Sequence, residues 1–547
     1  MTDELKEAVK KASQNLFGID VEPELSRPEE QFGDYSTNVA LQLAAQLDKS
    51  PREIAEQLAN KLQTVTGVAK IEVAGPGFIN FTLTDEALWQ MLSAKPAKPL
   101  SGQEILVEFG DPNPFKEMHI GHLYSYVIGD AISGLLEANG AQVRRLSYHG
   151  DVGLQIAKTI WAIKKRLDST AGLQLADVFE TDAMVGSFYA EGSKAFEDDS
   201  AAKEEILDIN EHIYAKDDPE INKIYETGRQ LSFEAFDRIL NLLSIRYDKR
   251  YLESQTVPLG KELVEKNIGR VFKQSQGAVV FEGEKAGLHT RVFITSKGLP
   301  TYETKDLGLV VLKDKDYPDA GRSIVITANE QAEYFKVMLA ALAEINADLV
   351  KKTTHLSHGF LSLTTGKMSS RAGNIYAAMD LLLAVKDAVH EQYPDSLAKK
   401  EVTFGAVKYA FLKHRLGSDI VFDIKESISL EGNSGPYLQY AHARASNILA
   451  KSQAGEPEPQ DFDPSERSLA RKLSEYPEVV AKAAAELMPH HVANYLYELA
   501  QAFNRFYEVS RVVGDPREAL RLQLVKIYRD ILADGLKLLN IEPPEKM

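Results

Sequence analysis

The sequence contains no cysteine in 547 residues. This absence excludes disulfide bonds and thiolate-held zinc sites, and it fits a reducing compartment. No apolar run is long enough to span a membrane, and the first residues, Met1–Lys6, lack the pattern of a signal peptide. We therefore expect a cytoplasmic protein without membrane association, and a chain of this length predicts roughly three or four domains.

Positive charge is also scarce. The chain has 63 Lys and Arg residues against 80 Asp and Glu residues, which leaves a formal net charge of −17. A protein of this charge would bind nucleic acid only if its basic side chains gathered on one face. Short basic clusters that could do so, or could equally be solvated helix surfaces, are Lys164–Arg166, Lys399–Lys400, Lys413–Arg415 and Arg471–Lys472.

The most informative segment lies between a predicted strand and a predicted helix. The apolar run Ile105–Phe109 predicts the strand, and the amphipathic stretch Leu123–Glu137 predicts the helix. Between them, His119 and His122 flank Gly121. Parallel α/β sheets bind phosphate at this position, where the carboxyl end of a strand faces a helix N-terminus. The glycine lets a nucleotide approach the backbone, and the histidines can donate hydrogen bonds to phosphate oxygens.

A second candidate phosphate loop, Gly366–Asn374, contains Lys-Met-Ser-Ser-Arg, beginning at Lys367. Alone, this motif is typical of a solvated basic loop, and the segment His119–His122 alone is consistent with a capping turn or a metal-ligand pair. Metal binding is disfavoured because the sequence has no cysteine and no third ligand at a characteristic spacing. Both motifs in this order, each after an apolar run, favour nucleotide chemistry.

Periodicity divides the chain into three regions. Residues 1–98 predict a small α/β domain that ends in a proline-containing linker. Residues 99–385 predict a parallel sheet with alternating helices, interrupted around residues 155–290 by a largely helical, charge-rich insertion. Residues 386–547 predict amphipathic helices. After the insertion, apolar runs predict strands at Val292–Thr295, Leu307–Leu312, Ser323–Ala328 and Leu356–Leu363.

The two motifs resemble the signatures of class I aminoacyl-tRNA synthetases, and the residues around them resemble the arginyl-tRNA synthetase family. Two positions depart from that family, which often has Ser at the position of Asp111 and usually has Trp at the position of Val152. The stretches that carry the resemblance are Val107–Phe109, Met118–Leu123, His149–Gly153 and Glu431–Arg444, with Gly33–Ser36 and Gly75–Asn80 in the N-terminal region.

The resemblance implies an α/β fold with a Rossmann-type parallel-sheet catalytic domain and a helical insertion. This domain would lie between an N-terminal α/β tRNA-binding domain and a C-terminal all-α anticodon-binding domain. The implied activity is that of a monomeric arginine–tRNA ligase that uses L-arginine, ATP with Mg²⁺, and tRNA(Arg), and that activates arginine only when tRNA is present. The alternatives are another class I synthetase and an inactive RNA-binding module. A cysteine-specific enzyme is disfavoured, because no cysteine is present to hold its zinc.

For ATP, we interpret His119 and His122 as donors to the triphosphate. Lys367 would neutralise the pyrophosphate leaving group, with Lys116 as a second candidate. Mg²⁺ would be held mostly by phosphate oxygens and water, so no protein metal site is expected. The predicted ATP-binding residues are His119, Gly121, His122, Lys367, Met368, Ser369 and Ser370.

Arginine recognition requires carboxylates that face a planar guanidinium group. Glu108 ends the predicted strand beside the nucleotide motif, and Tyr302 and Asp306 share a face if their segment is helical. Without the resemblance, Asp306 is better explained as a surface acid or a helix cap. The resemblance implies that Asn113 lies near the α-amino group and that four residues surround the arginine side chain, namely Glu108, Tyr302, Asp306 and Gln331.

Aromatic residues recur at helical spacing in the C-terminal region. Such spacing is more typical of a core than of a nucleic-acid surface, although unpaired bases do stack on aromatic rings. The resemblance implies that Phe78 and Asn80 contact the outer corner of the tRNA. It also implies anticodon-loop contacts at Tyr440 and Tyr507, with the terminal Met547 as a further contact.

Overall fold

The computed structural model describes residues 1–93, 97–178, 182–364, 376–451 and 461–547. These residues form an N-terminal α/β domain, a central five-stranded parallel sheet and a helical C-terminal region, so the predicted fold class is confirmed. No helix among the described residues is long and apolar enough to cross a membrane.

The N-terminal domain is a three-stranded antiparallel sheet, in the order β1-β3-β2, covered by helices. Apolar stripes of its first and third helices, including Leu5, Val9 and Leu58, form its buried core. Between the last two strands the chain turns at Gly75 and Gly77, both with positive φ. The elements are α1 (Thr2–Phe17), β1 (Tyr35–Thr37), α2 (Val39–Ala44), α3 (Pro51–Leu62), β2 (Val68–Ala74), β3 (Phe78–Leu83) and α4 (Asp85–Leu92).

The central sheet begins with β4 (Glu104–Glu108), α5 (Ile120–Ala138) and β5 (Gln142–His149), which form a βαβ unit as predicted. A helical insertion follows β5 and has its own apolar core, in which Val152 is buried. The chain then returns to the sheet in β6 (Lys249–Leu252), which pairs with β5. The insertion helices are α6 (Leu154–Ser169), α7 (Leu175–Val178), α8 (Asp182–Asp198), α9 (Ser200–Ala215) and α10 (Pro219–Leu243).

After β6 the chain forms α11 (Glu253–Lys266) and a separate antiparallel sheet of β7 (Lys273–Ser275), β8 (Ala278–Phe281) and β9 (Arg291–Ile294). The span predicted as an insertion, around residues 155–290, therefore contains one strand of the parallel sheet. The strand predicted at Val292–Thr295 exists as β9, but it belongs to this small antiparallel sheet.

The strand predicted at Leu307–Leu312 is wrong, because these residues lie in α12 (Tyr302–Asp316). The segment is apolar in a continuous run because the helix is buried on nearly all sides, against α11 and the sheet. A short apolar run cannot distinguish a buried strand from a buried helix.

The second half of the sheet consists of β10 (Arg322–Ala328), α13 (Ala332–Ile345), α14 (Ala347–Lys352) and β11 (Thr353–His358). The strand order is β11-β10-β4-β5-β6, and every pair is parallel. The run predicted as one strand, Leu356–Leu363, is split into β11 and β12 (Leu361–Leu363). At the break, a Cβ on Gly359 would lie 2.3 Å from the carbonyl oxygen of Ser418.

The remaining described residues are mostly helical, as the periodicity of residues 386–547 predicts. One short strand, β13 (Ile420–Phe422), pairs with β12 inside the region that was predicted to be helical. The elements around it are α15 (Ala378–Gln392), α16 (Lys399–Leu412), α17 (Ile424–Ser427), α18 (Gly435–Leu449), α19 (Pro464–Ser474), α20 (Tyr476–Glu486), α21 (His490–Val509) and α22 (Glu518–Leu538).

The N-terminal domain docks on α19 and α20 through an ion-pair network. Arg467 of α19 binds Asp34 at 2.7 Å and also contacts Asp85. Arg27 binds Glu478 of α20 at 2.9 Å. Asp34 is almost fully buried and also accepts a backbone N–H from β3, so the network joins the core of the N-terminal domain to α19.

Candidate active site at the carboxyl edge of the sheet

A cavity of about 500 Å³ opens at the carboxyl edge of the parallel sheet. There β4 and β10 are neighbours, and the chain continues from β4 to one side of the sheet and from β10 to the other. Ligands of open α/β sheets bind at such a switch point. The cavity brings together eight residues that were predicted for the site, namely Glu108, Asn113, His119, Gly121, His122, Tyr302, Asp306 and Gln331.

The loop after β4 is held by two of its side chains. Asp111 Oδ1 accepts the backbone N–H of Tyr148 at 2.7 Å, and Asn113 Oδ1 accepts that of Gly150 at 2.8 Å. These side chains continue the hydrogen-bond ladder along β5 after the backbone of β4 has left the sheet. These hydrogen bonds position both side chains at the cavity wall. To make its bond, Asp111 adopts the left-handed backbone conformation, with φ 52°.

The two histidines form the first turn of α5. His119 is the N-cap, and its Nδ1 accepts the N–H of Gly121 at 3.1 Å, while His122 Nδ1 accepts the N–H of His119 at 3.3 Å. The rings stack with centroids 3.7 Å apart. With Nδ1 occupied as an acceptor, each neutral ring carries its proton on Nε2 and offers one donor.

Burial keeps both rings neutral near pH 7. Burial, followed by the charge of Lys116, lowers the pKa of His119 to about 4. The pKa of His122 is also lowered, first by burial and then by His119. Neutral rings suit a site whose negative charge arrives with the ligand, because the free site then does not bury two unpaired cations.

The lysine Lys116 lies beside the large cavity rather than in its lining. It lies over the ring of Tyr189, in the insertion, with its Nζ 4.2 Å from the ring centroid. It is nevertheless close enough to lower the pKa of both histidines. The predicted ATP residues Lys367, Met368, Ser369 and Ser370 lie outside the described residues.

The opposite end of the cavity is acidic. Asp306 is buried in α12, and the hydroxyl of Tyr334 donates to its Oδ2 at 2.7 Å. Burial, with a further contribution from the charge of Glu108, raises the pKa of Asp306 to about 8. Tyr302 is 61% exposed at the cavity mouth, and Gln331 Oε1 lies 3.5 Å from the same Tyr334 hydroxyl. This end of the cavity is suited to a cationic group.

Two buried lysines are paired with acids at this end of the cavity, and the sequence analysis did not predict them. Lys313 binds Glu108 at 2.8 Å, and Lys305 binds Glu253 at 2.6 Å. All four side chains are at most 8% exposed. The available signal was the position of Lys305 and Lys313 on either side of the apolar run Leu307–Leu312, since a lysine that is buried with such a run requires a partner.

His149 is another residue that the sequence interpretation left without a role. It is fully buried, its Nδ1 lies 2.6 Å from the carbonyl oxygen of Pro112, and its Nε2 lies 2.9 Å from the hydroxyl of Ser147. Because Nδ1–H donates to that carbonyl, His149 fixes the loop that carries Asp111 and Asn113.

The residues predicted to contact tRNA are distant in sequence and differ in exposure. Phe78 is 38% exposed on β3, whereas Asn80 is buried at 7% exposure. Tyr440 is 46% exposed on α18, one helical turn before Arg444. Arg444 stacks over the ring of Tyr507, with its guanidinium carbon 4.8 Å from the centroid. Met547 packs against the helical core. Among the described residues, no group of three or more His, Asp or Glu side chains could hold a metal ion.

Comparison with protein families gives three matches that together extend over most of the chain. The model of the arginyl-tRNA synthetase N-terminal domain matches residues 2–83. The model of the class I (R) tRNA synthetase catalytic domain matches residues 86–424. The model of the DALR anticodon-binding domain matches residues 438–547.

Individual relatives resemble the chain over nearly its full length. The arginine–tRNA ligase of Porphyromonas gingivalis is 28% identical, with 99% of each chain covered. That of Borreliella burgdorferi is 29% identical, with 95% of this chain and 94% of the relative covered. The structure of Thermus thermophilus arginyl-tRNA synthetase superposes with a TM-score of 0.84 at 28% identity, covering all of both chains. The catalytic-domain model matches more than half of the residues of this chain. The chain therefore belongs to the class I arginyl-tRNA synthetases, which are arginine–tRNA ligases.

Proposed function

We propose that this chain joins L-arginine to tRNA(Arg) in two steps within the cavity at the sheet edge. The arginine carboxylate attacks the α-phosphate of ATP, pyrophosphate leaves, and arginyl-adenylate forms. The adenylate carbonyl is then transferred to a hydroxyl of the 3′-terminal ribose, which releases AMP. The observation that supports this proposal best is that one cavity holds two neutral histidines at one end and the buried acid Asp306 at the other.

The histidine end would bind the triphosphate. His119 and His122 each offer an Nε2–H donor, and Gly121 between them leaves the backbone open to close approach. Negative charge grows on the phosphate oxygens as pyrophosphate leaves, and fixed donors stabilise that charge. We assign Lys367, with Lys116 as a second candidate, to the same charge, and Met368, Ser369 and Ser370 to the loop that carries Lys367.

His122→Ala is expected to lower the rate of arginine activation by about 10²–10³, because removing one such donor typically costs about 3 kcal/mol in the transition state. The affinity for arginine should stay unchanged. Single-turnover kinetics and arginine binding by calorimetry measure the two quantities separately. His390→Ala, at an exposed position on α15, is the control. An unchanged chemical step in His122→Ala would remove His122 from the mechanism.

The acidic end would bind the amino acid. Asp306 faces the guanidinium group, which donates in a planar fork that suits a carboxylate. Glu108 is already paired with Lys313. In this proposal Glu108 contacts the arginine side chain directly, and the ion pair with Lys313 holds its carboxylate in place. Tyr302 closes the cavity mouth, Gln331 supplies an amide beside Asp306, and Asn113 lies near the α-amino group.

The tRNA would contact the N-terminal and C-terminal parts of the molecule. We assign its outer corner to Phe78 and Asn80, and its anticodon loop to Tyr440, Tyr507 and Met547. The stack of Arg444 on Tyr507 supports a base-stacking role, because nucleobases stack on aromatic rings and on guanidinium planes.

ATP–pyrophosphate exchange with each amino acid, with and without tRNA, tests the function. We expect exchange with arginine alone, and only when tRNA(Arg) is present, because tRNA must favour the activation-competent state over the resting one. The protein has to be free of copurified RNA, and tRNA with an oxidised 3′ end serves as a control that binds but cannot be charged. Robust exchange without tRNA would contradict the coupling, whereas exchange with another amino acid would contradict the function.

We further propose that Mg²⁺ arrives with ATP and is held mainly by phosphate oxygens and water, as this ion prefers. Among the described acids that line the cavity, Glu108 and Glu253 are already paired with lysines, which suits this arrangement better than a protein metal cage. Our proposed domains are residues 1–98, 99–385 and 386–547, with the insertion around residues 155–290. We propose a monomer that acts in the cytoplasm.

A further inference from the structure

The helical insertion holds two consecutive residues of the loop after β4, namely Phe115 and Lys116. The ring of Phe115 is buried in the core of the insertion and stacks on Tyr225, with the ring centroids 6.4 Å apart. The Phe115 N–H donates to Ser232 Oγ at 3.0 Å, and its carbonyl oxygen accepts the Thr159 hydroxyl at 3.4 Å. Phe115 has a left-handed backbone with φ 61°, which a bulky residue keeps only where its surroundings impose it. The insertion therefore fixes the backbone from which the Lys116 side chain extends.

The ammonium group of Lys116 has an aromatic partner rather than an acidic one. Its Nζ lies 4.2 Å from the centroid of the Tyr189 ring, on α8 of the insertion. Among the described residues, no carboxylate forms an ion pair with Lys116. A carboxylate would neutralise the lysine, whereas an aromatic face attracts the cation and leaves its full charge for a ligand. After burial, the charge of Lys116 is what lowers the pKa of His119 most, so the ammonium group acts on the first turn of α5 from this position.

This arrangement suits a charge that has to meet a phosphate group. A lysine side chain that is free in solvent samples many rotamers, and a ligand that orders it must offset the lost entropy. A side chain that is already held in place loses less entropy, so the contact with the ring prepares Lys116 for a ligand. The ammonium group has three N–H donors, and those that point away from the ring stay available. The loop that carries Lys116 continues directly into the first turn of α5, where the triphosphate is proposed to bind.

We propose that Tyr189 is a positioning residue for arginine activation, whose ring holds the ammonium group of Lys116 for the pyrophosphate end of ATP. This assignment rests on the proposed function and deepens it, because it gives the helical insertion a part in the activation step. Tyr189 itself does not touch the reacting atoms in this proposal. It acts only through Lys116, and the ring stays beneath the ammonium group while the free N–H donors face the phosphates.

The test compares Tyr189→Leu, which removes the ring, with Tyr189→Phe, which keeps it. ATP–pyrophosphate exchange by the full-length protein, with tRNA(Arg) and L-arginine present, gives kcat/KM for ATP. Tyr189→Leu should lower this value by about 3- to 30-fold, the size of a cation–π contact, and should leave the affinity for arginine unchanged. Tyr189→Phe should stay within about twofold of the unsubstituted protein, because the ring face remains.

A double-mutant cycle with Lys116→Met separates positioning from folding, because the loss caused by Tyr189→Leu should disappear when there is no ammonium group to hold. Phe196→Leu is the matched control. Phe196 also lies on α8 and has two lysines over its ring, at 4.6 Å and 5.2 Å from the centroid, but these lysines, Lys158 and Lys203, belong to the insertion itself. This variant should exchange pyrophosphate at the unsubstituted rate.

An equal loss from Tyr189→Leu with and without Lys116 would overturn the proposal, because the ring would then act through the fold. Unchanged activation in Tyr189→Leu or in Lys116→Met would overturn it as well. Faster activation in Tyr189→Leu would have the same meaning, since the ring would then withhold the lysine from ATP. If the unsubstituted protein with tRNA(Arg) failed to exchange pyrophosphate with arginine, the proposed function itself would fail, which is a distinguishable result.

Discussion

Lysine is expected to be charged onto tRNA(Arg) at least about 10⁴-fold less efficiently than arginine, as measured by kcat/KM. The buried Asp306 and the Tyr334 hydroxyl that donates to it form a site for a planar group with several donors. The lysine side chain is shorter than that of arginine and ends in an ammonium group, so it would leave buried polar groups of the site without partners. Sites built around hydrogen bonds reject such analogues by about 10⁴–10⁵-fold.

Citrulline is the matched control for this discrimination, because it has nearly the shape of arginine but no positive charge. Its rejection would show that charge is read as well as shape. Steady-state aminoacylation with purified protein and tRNA(Arg) gives kcat/KM for all three amino acids. Comparable efficiency with lysine would contradict the assignment of Asp306 to the guanidinium group.

Asp306→Asn is expected to weaken arginine recognition strongly and, at the same time, to stabilise the free protein. Burial raises the pKa of Asp306 to about 8, from an ordinary value of 3.8. Between these values the unfolded chain has lost this proton while the folded protein keeps it, so the free energy of unfolding falls as pH rises from 3.8 to 8. At 1.36 kcal/mol per pKa unit, this decline amounts to roughly 5 kcal/mol at pH 8.

Asparagine does not titrate, so the variant should gain most of that stability at pH 8 and much less at pH 5. It can still accept the Tyr334 hydroxyl, but it cannot pair with a guanidinium, and we expect kcat/KM for arginine to fall at least about 10²-fold. Urea unfolding at both pH values, with hydrogen exchange of α12 as a local measure, tests the stability. Asp314→Asn, on the same helix but half-exposed beside Lys352, is the control. Equal stability changes in the two variants would contradict the argument.

Much of the fold could be predicted because its signals are local. Amphipathic periodicity predicts the C-terminal helices, since each helix buries one stripe against its neighbours. The βαβ unit from Ile105 to Tyr148 could be predicted for the same reason. The segment Leu307–Leu312 could not, because a helix buried on nearly all sides has no polar face to reveal its period.

For the site as well, local sequence patterns predict some residues and not others. The position of the histidine turn could be predicted because the strand, the glycine and the start of the helix are adjacent in sequence. The roles of Lys313 and Lys305 depend on partners 205 and 52 residues away, which no local pattern reveals. The support that His149 gives to the Pro112 carbonyl likewise depends on two loops meeting in space.

The docking of the N-terminal domain on α19 has a consequence for synthesis on the ribosome. Asp85 and Arg467 are 382 residues apart in the chain. At about 5–20 residues per second, roughly 20–80 s pass between their appearances. The N-terminal core consists of the domain's own buried residues, so this domain can fold within that interval. Until α19 emerges, Asp34 and Asp85 lack their arginine partner Arg467, so the domain can dock only after most of the chain has been made.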